Sequence, residues 1–249
     1  MVSTWVVTPC YNEERRLPVK AFEAYLAERD DVGFCFVDAN SDDDTGPLLR
    51  EIVARHPDRT AFTATPGRHG KAQAVRAGVL HACELPGVER IGYWDADLAA
   101  PLSEVTRFIA LFHERPEVRF VCGARVRRLG ARIARPAVRR YLGRAFATAA
   151  GRLLHMPVYD TQCGAKMLDA ALAAELFAEP FLSQWVFDVE LLARARRRLG
   201  DAFPEAVVEL PLEAWEEVAG SRLRPIDFLW AGVQLVRIAA KYRRPAARD

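Results

Sequence analysis

Four short apolar runs, each followed by a helix-like stretch, fill the first half of the chain and constrain its fold more than any other feature. Ser3–Thr8, Gly33–Asp38, Thr60–Ala64 and Arg90–Asp95 have the length and residue types of strands. Pro18–Arg29, Thr45–His56, Lys71–Ala82 and Ser103–Arg115 have those of helices, with Ser103 placed to cap the last. Strands alternating with helices build right-handed βαβ units and a parallel sheet. Runs such as WVV and GFCFV do not alternate with polar residues, as befits strands covered on both faces. The fold class is therefore α/β, a mostly parallel sheet flanked by helices, and 249 residues suffice for one such domain.

In a sheet of this kind, ligands sit beyond the carboxyl ends of the strands. The loops there are Pro9–Glu14, Asp38–Thr45, Pro66–Lys71 and Asp95–Asp97, all polar. Two carboxylates one residue apart, Asp95 and Asp97, suit a hard divalent cation such as Mg²⁺ or Mn²⁺, which would screen a diphosphate. Gly67-Arg68-His69-Gly70-Lys71 opens a helix, where glycine, a helix N-terminus and a lysine together favour an anion. It is not a Walker A loop, because no Ser or Thr follows the Lys, and no G-x-G-x-x-G follows the first strand.

The second half is less regular. Val121–Arg125, Cys163–Leu168 and Val207–Leu210 are strand-like, while Pro136–Leu154 and Phe187–Leu199 are helical. Between Val118 and Tyr159 there is no Asp or Glu, yet Arg119, Arg125, Arg127, Arg128, Arg132, Arg135, Arg139, Arg140, Arg144 and Arg152 all fall there. Such a block makes either a solvated face or an anion-binding surface. Nucleic acid is not the expected partner, since no aromatic-interleaved motif accompanies it. The cysteines (Cys10, Cys35, Cys83, Cys122 and Cys163) are odd in number and form no C-x-x-C pair, which predicts reduced thiols in a cytosolic protein. No secretory signal is visible, and the longest apolar candidate, Ile226–Ala240, is interrupted by Asp227, Gln234 and Arg237. Residues 1–220 are read as one domain, and residues 221–249 as an amphipathic helix with a basic tail. Within Ser221–Arg244, the apolar residues Ile226, Leu229, Trp230, Val233, Val236 and Ile238 recur at helical spacing near Arg237, Lys241, Arg243 and Arg244. That segment either lies in a membrane interface or packs on the domain; the expected location is peripheral, at the cytoplasmic face of a membrane.

The succession VVTPCYNEE, VDANSDDDT, GRHGKAQAVRAG and DADLAAP resembles the inverting glycosyltransferases of family 2, which have the Rossmann-like GT-A fold. CGAR (122–125), DTQCGAKM (160–167), FDVELL (187–192) and WEEVAGSRL (215–223) resemble a narrower group, the dolichyl-phosphate β-glucosyltransferases and their prokaryotic polyprenyl-phosphate relatives. The resemblance implies transfer of a hexose, glucose first among them, from a nucleotide-sugar donor, UDP-glucose, to a polyprenyl phosphate, with Mg²⁺ or Mn²⁺. It implies that Pro9, Tyr11, Glu13 and Asp38 line the nucleotide pocket, to which the anion-favouring loop already assigns Lys71. Asp95 and Asp97 would hold metal and diphosphate. Arg125 and Arg139 would face the acceptor phosphate, while Asp160, Gln162, Trp185 and Asp188 border sugar and acceptor. Asp97, Arg125 and Asp160 are the candidate catalytic residues. Ala39 and Asn40 depart from the usual V-D-D-G-S, and Leu98-Ala99-Ala100-Pro101 is closer to the glucosyl than to the mannosyl pattern. A phosphate acceptor is already ionised and needs positioning rather than a strong base. A hydroxyl acceptor would need one, and Asp160 or Asp188 is the candidate. A third reading is a silent sugar-nucleotide-binding scaffold on the same fold.

Overall fold

The computed structural model describes residues 2–67, 70–134, 136–218 and 225–242. In chain order the elements are β1 (Thr4–Cys10), α1 (Val19–Glu28), β2 (Val32–Asp38), α2 (Thr45–Arg55), β3 (Thr60–Ala64), α3 (Gly70–Cys83), β4 (Arg90–Trp94) and α4 (Ser103–Glu114). Then follow β5 (Phe120–Ala124), β6 (Arg132–Ala134), α5 (Ala137–Leu154), β7 (Ala165–Asp169), α6 (Ala170–Phe177), α7 (Phe187–Leu199), α8 (Phe203–Ala206), β8 (Val207–Pro211), β9 (Ala214–Glu216) and α9 (Pro225–Tyr242). The main sheet has seven strands in the order β3-β2-β1-β4-β7-β5-β8, and β6 pairs with β9 in a small second sheet. All neighbours in the main sheet are parallel except β7, which runs antiparallel to both β4 and β5.

Period-two alternation sorts the strand residues onto two apolar layers. On one face Val6, Phe34, Phe36 and Trp94 pack with Phe22, Leu26, Leu49, Ile52 and Phe108 of α1, α2 and α4. On the other, Val7, Val37, Tyr93 and Phe120 meet α3, α6, α7 and the inner residues of α9. Phe22 meets Phe34 and Phe36 edge-on at centroid separations of 5.0 and 5.3 Å, an arrangement that adds to area burial. α3 rides close over β1 and β2: a Cβ on Gly78 would overlap the Val7 and Val37 side chains.

One local expectation is corrected. Ser103 does not cap α4; it is the first helical residue, because Leu102 is already in helical geometry (φ −64°, ψ −20°). Backbone bonds from Glu104 and Val105 to Pro101 and Leu102 start the turn one residue earlier. The short strands β6 and β9 and the helix α6 were not foreseen, since two are three residues long and α6 is nearly all apolar, with no period to detect.

Of the 221–249 segment, only residues 225–242 are described, and they form α9. Leu235, Ile238 and Ala239 are buried where α9 packs on α5 and α7. Trp230, Val233 and Val236 are 60%, 50% and 61% exposed. Among the described residues, no helix is long and apolar enough to cross a membrane.

Candidate active site

Parallel register brings the loops after β1 and β2 side by side. Cys10 faces Asp38 across the ladder, and beyond it the two loops are zipped together by hydrogen bonds. The Asn12 amide donates to Ser41 Oγ (3.1 Å), the Asp42 amide to Asn12 Oδ1 (2.8 Å), and the Glu13 amide to Thr45 Oγ1 (2.7 Å). Tyr11 Oη donates to Asp42 Oδ2 at 3.1 Å. Asn12 and Asn40 both take left-handed φ values, 52° and 61°, which Asn tolerates better than most residues. Asp38 accepts the Ser41 amide at 2.9 Å. A Cβ on Gly46 would come within 2.8 Å of the Asp38 carboxylate, so the start of α2 reaches that carboxylate only because residue 46 is glycine. Pro9, Tyr11, Glu13 and Asp38 are all half-buried along this edge.

Next to them, β4 ends in a tight turn in which the Leu98 amide donates to Asp95 O (3.1 Å) and the Ala99 amide to Asp97 Oδ1 (3.1 Å). Leu98 takes φ 51°, a strained conformation for a non-glycine residue and one concentrated at functional sites. Burial, and then the neighbouring Asp95 charge, hold the Asp97 carboxyl above its ordinary pKa. Lys71, in the first turn of α3, ion-pairs with Asp95. Burial works against its ammonium, but Asp95 and Asp188 outweigh that and keep its pKa raised. Arg68 and His69 lie outside the described residues.

β7 brings a further loop to this edge. Because β7 runs backwards, its first residue Ala165 lies opposite Trp94, the last residue of β4. The preceding segment, residues 160–164, therefore meets the Asp95 turn. The Asp95 amide donates to Gly164 O at 3.2 Å, and any Cβ on Gly164 would overlap the Asp95 carboxylate. Within this loop Asp160 takes a two-pronged bond from Arg125, Nε to Oδ2 at 2.6 Å and Nη2 to Oδ1 at 2.7 Å. The pair is nearly buried, with side chains 10% and 8% exposed. Trp215 lies beside the guanidinium, 5.3 Å from ring centroid to Cζ. Burial disfavours the Arg125 charge, but Asp160 more than offsets it. Arg140, Gly143, Arg144 and Tyr159 complete a small cleft around this pair.

Pro9, Tyr11, Glu13, Asp38, Lys71, Asp95, Asp97, Arg125, Asp160 and Gln162 thus gather along one sheet edge, whereas Arg139, Asp188 and Trp185 are not placed in the open cleft. Arg139 lies on α5, but its side chain is outside the described residues. Asp188 does not border the open cleft: it is 4% exposed and accepts from Lys166 Nζ and Tyr93 Oη, both at 2.6 Å. Its position in the first turn of α7 points it into the core, behind the site. Gln162 keeps its backbone bond to Asp160 (3.2 Å), while its Nε2 is buried without a hydrogen-bond partner among the described residues. Trp185 is 41% exposed.

Lys166 and Glu209 were missed by the sequence reading. Lys166 is fully buried and also donates to the carbonyls of Thr161 (3.2 Å) and Cys163 (2.7 Å), which shapes the loop. Glu209 on β8 receives the amides of Tyr159 and Asp160 at 2.7 and 2.8 Å. A lysine inside the apolar strand AKML was the available signal, since lysine is almost never fully buried unless paired.

The residues present fit a divalent cation shared with substrate. Asp95 and Asp97 offer hard oxygen ligands from one turn, and no cluster of three or more His, Cys, Asp or Glu exists among the described residues. The remaining coordination would fall to diphosphate oxygens and water, as is usual for Mg²⁺.

The Glycosyl transferase family 2 profile matches residues 5–177. A dolichyl-phosphate β-glucosyltransferase of Mus musculus is 32% identical over 98% of this chain and 76% of its own length. One from Trichomonas vaginalis is 31% identical, covering 97% and 72%. Among solved structures, mannosyl-3-phosphoglycerate synthase from Rubrobacter xylanophilus superposes with a TM-score of 0.69 at 18% identity, over 98% of this chain and 74% of that one. Glucosyl-3-phosphoglycerate synthase from Mycobacterium tuberculosis, solved with Mn²⁺, UDP-glucose and phosphoglyceric acid, gives 0.66 at 20%, over 96% and 80%. These two share the fold. With the profile covering most of the chain and the curated relatives nearly all of it, the protein belongs to glycosyl transferase family 2.

Proposed function

We propose that this transferase moves glucose from UDP-glucose to a polyprenyl phosphate, with inversion, using Mg²⁺ or Mn²⁺ at Asp95 and Asp97. The relatives named above are dolichyl-phosphate β-glucosyltransferases, which supports both sugar and acceptor class. The observation that carries the choice of acceptor is the state of the two candidate bases. Asp160 is clamped by the Arg125 fork and Asp188 is buried on Lys166 and Tyr93. A hydroxyl acceptor needs a base with an open oxygen facing it, whereas a phosphate needs cations.

In this reading Pro9, Tyr11, Glu13 and Asp38 hold the nucleoside, and Lys71 meets the diphosphate at the start of α3. When bound, the cation screens the charge that develops on the leaving UDP. Asp160 fixes the plane of the Arg125 guanidinium, so that its Nη1 side is presented to the acceptor phosphate, with Arg140 and Arg144 alongside; Arg139 is assigned to the same phosphate on the family resemblance. Gln162 and Trp185 border the sugar. A groove continues from the arginine cleft, sharing Arg144 and Tyr159 with it, with Ala147, Met156, Pro157 and Val158 on its apolar side and Arg152, His155 and Glu209 among its polar lining. Its apolar side offers a lipid chain a track. The exposed Trp230, Val233 and Val236 of α9, on a helix that buries Leu235, Ile238 and Ala239, support peripheral contact with the cytoplasmic face of a membrane. Residues 1–220 then form the transferase domain, and 221–249 its membrane-facing extension.

The deciding experiment follows labelled glucose from UDP-glucose into organic-extractable material, with a polyprenyl phosphate and with or without Mn²⁺. Metal-dependent label in lipid is expected. No label, despite metal-dependent UDP-glucose binding in the same buffer, would shift the acceptor to a hydroxyl.

Arg125→Lys keeps the charge but loses the fork, so use of the lipid phosphate is expected to fall at least about tenfold. UDP affinity by calorimetry should hold; an equal fall in it would place Arg125 on the donor side instead. Gly164→Ala is expected to push Asp95 aside and weaken Mn²⁺ binding in the presence of UDP by about 10–100-fold. Unchanged affinity would show that the Gly164 contact does not position Asp95. Val233→Glu with Val236→Glu should cut flotation with anionic liposomes several-fold at low salt, and undiminished flotation would remove α9 from the membrane contact.

A further inference from the structure

Lys71 and Asp95 pair at the mouth of the site, with side chains 39% and 40% exposed. The Asp95 carboxylate is confined on two sides. Gly164 closes one flank so tightly that no side chain fits there, and the Lys71 ammonium occupies Oδ1. Asp97, two residues on, shares the turn and feels the Asp95 charge. The other charged groups acting on Lys71 are Asp188 and Lys166, which are bonded to each other. Asp188 acts on Lys71 more strongly than Lys166 does, so together they favour the ammonium where it stands.

At the mouth, two carboxylates and one ammonium leave a single negative charge, since Arg16 and Arg125, which also act on Asp97 and Asp95, are paired with Glu13 and Asp160. A divalent cation arriving alone would turn that into a positive charge and set like charges against each other on one carboxylate, which is costly at such range. A divalent cation arriving with a nucleoside diphosphate, whose two bridged phosphates bring negative charge of their own, changes the sum little. It also offers the ammonium a new partner at the N-terminus of α3, where backbone amides favour an anion. Gly70 (φ 72°) and the Ala72 amide bond to Gln184 O (3.3 Å) fix that N-terminus against the 183–186 loop. The backbone at Lys71 is thus held by contacts that do not involve its ammonium.

We propose that Lys71 is a placeholder for the divalent cation: it keeps Asp95 in its metal-binding position and releases it when a nucleoside diphosphate arrives to take the ammonium. Metal and nucleotide then load together, and the protein without nucleotide holds metal weakly. The proposal rests on the reading of Asp95 and Asp97 as the metal pair.

Mn²⁺ binding, read from the electron paramagnetic resonance signal of free Mn²⁺, tests it with no turnover involved. Wild type, Lys71→Met and Lys71→Arg are each titrated with and without UDP. Without UDP, Lys71→Met is expected to bind Mn²⁺ about tenfold tighter than wild type, within the usual range of coupling between sites. Lys71→Arg, which retains a cation, should stay near wild type. UDP should tighten Mn²⁺ binding at least about tenfold in wild type and by less in Lys71→Met. If Lys71→Met and wild type bind Mn²⁺ equally without UDP, the placeholder role is overturned while the metal pair stands. If wild type takes up no Mn²⁺ even with UDP, the metal pair falls and the placeholder with it. Lys71→Gln serves as the second neutral variant should Lys71→Met fold poorly.

Discussion

Asp97→Ala is expected to reduce glucosyl transfer by about a thousandfold or more, the scale of losing a group that stabilises charge developing in a transition state. Two consequences combine. The turn loses the carboxylate that receives the Ala99 amide, and the site loses one of the two oxygen donors available from that turn. Burial first, and then the Asp95 charge, hold the Asp97 carboxyl above its usual pKa, and a bound divalent cation would stabilise its ionised form. Melting should change little, since Asp97 is half-buried and carries no ion pair among the described contacts. The labelled-lipid assay measures the loss, and circular dichroism confirms the fold. Near wild-type transfer by a folded Asp97→Ala protein would end the assignment of this turn as the metal site.

The second large effect falls on stability. Lys166→Met removes the cation that pairs with Asp188 and leaves a carboxylate at 4% exposure with only the Tyr93 hydroxyl as its hydrogen-bonding donor among the described contacts. Breaking a buried pair from one side costs about 3–5 kcal/mol, which for a chain of this size lowers the melting temperature by about 10 °C. The double variant Lys166→Met, Asp188→Leu should regain much of that stability, because two apolar residues leave no stranded charge. It should not regain activity. The carbonyls of Thr161 and Cys163 would still lack the Lys166 donor, and the loop that meets Asp95 and Arg125 depends on them. A double variant with full activity would show that Lys166 serves the core alone.

Much of this was legible before any coordinates. The alternation of apolar runs and amphipathic stretches specified the βαβ half, and the rule that ligands sit past strand ends selected the loops at residues 9–14, 38–45, 66–71 and 95–97. Those boundaries shifted by only a residue or two, because long continuous apolar runs and local helix periods are written in neighbouring residues. Asp95 and Asp97 could be read as a pair because two carboxylates one residue apart are a local pattern.

On the acceptor side the arginine block was legible from charge alone, but Asp160 and Gln162 only through family resemblance. Their loop, residues 160–164, precedes its strand, so the strand-end rule does not select it; only the reversal of β7 carries it to the edge where β4 ends. Neither the partnership of Arg125 with Asp160 nor that of Lys166 with Asp188 has a mark in sequence spacing, since the partners stand 35 and 22 residues apart. The same holds for Glu209, whose contact with the 159–160 amides exists only because β8 lies beside β5. The α/β class, the donor-side loops and the acidic turn are written in the order of the residues, because they follow from short-range pattern and backbone geometry. Tertiary structure alone decided which charges neutralise one another, and so which carboxylates remain open for chemistry. That outcome depends on distances through folded space and on desolvation, which no run of neighbouring residues records.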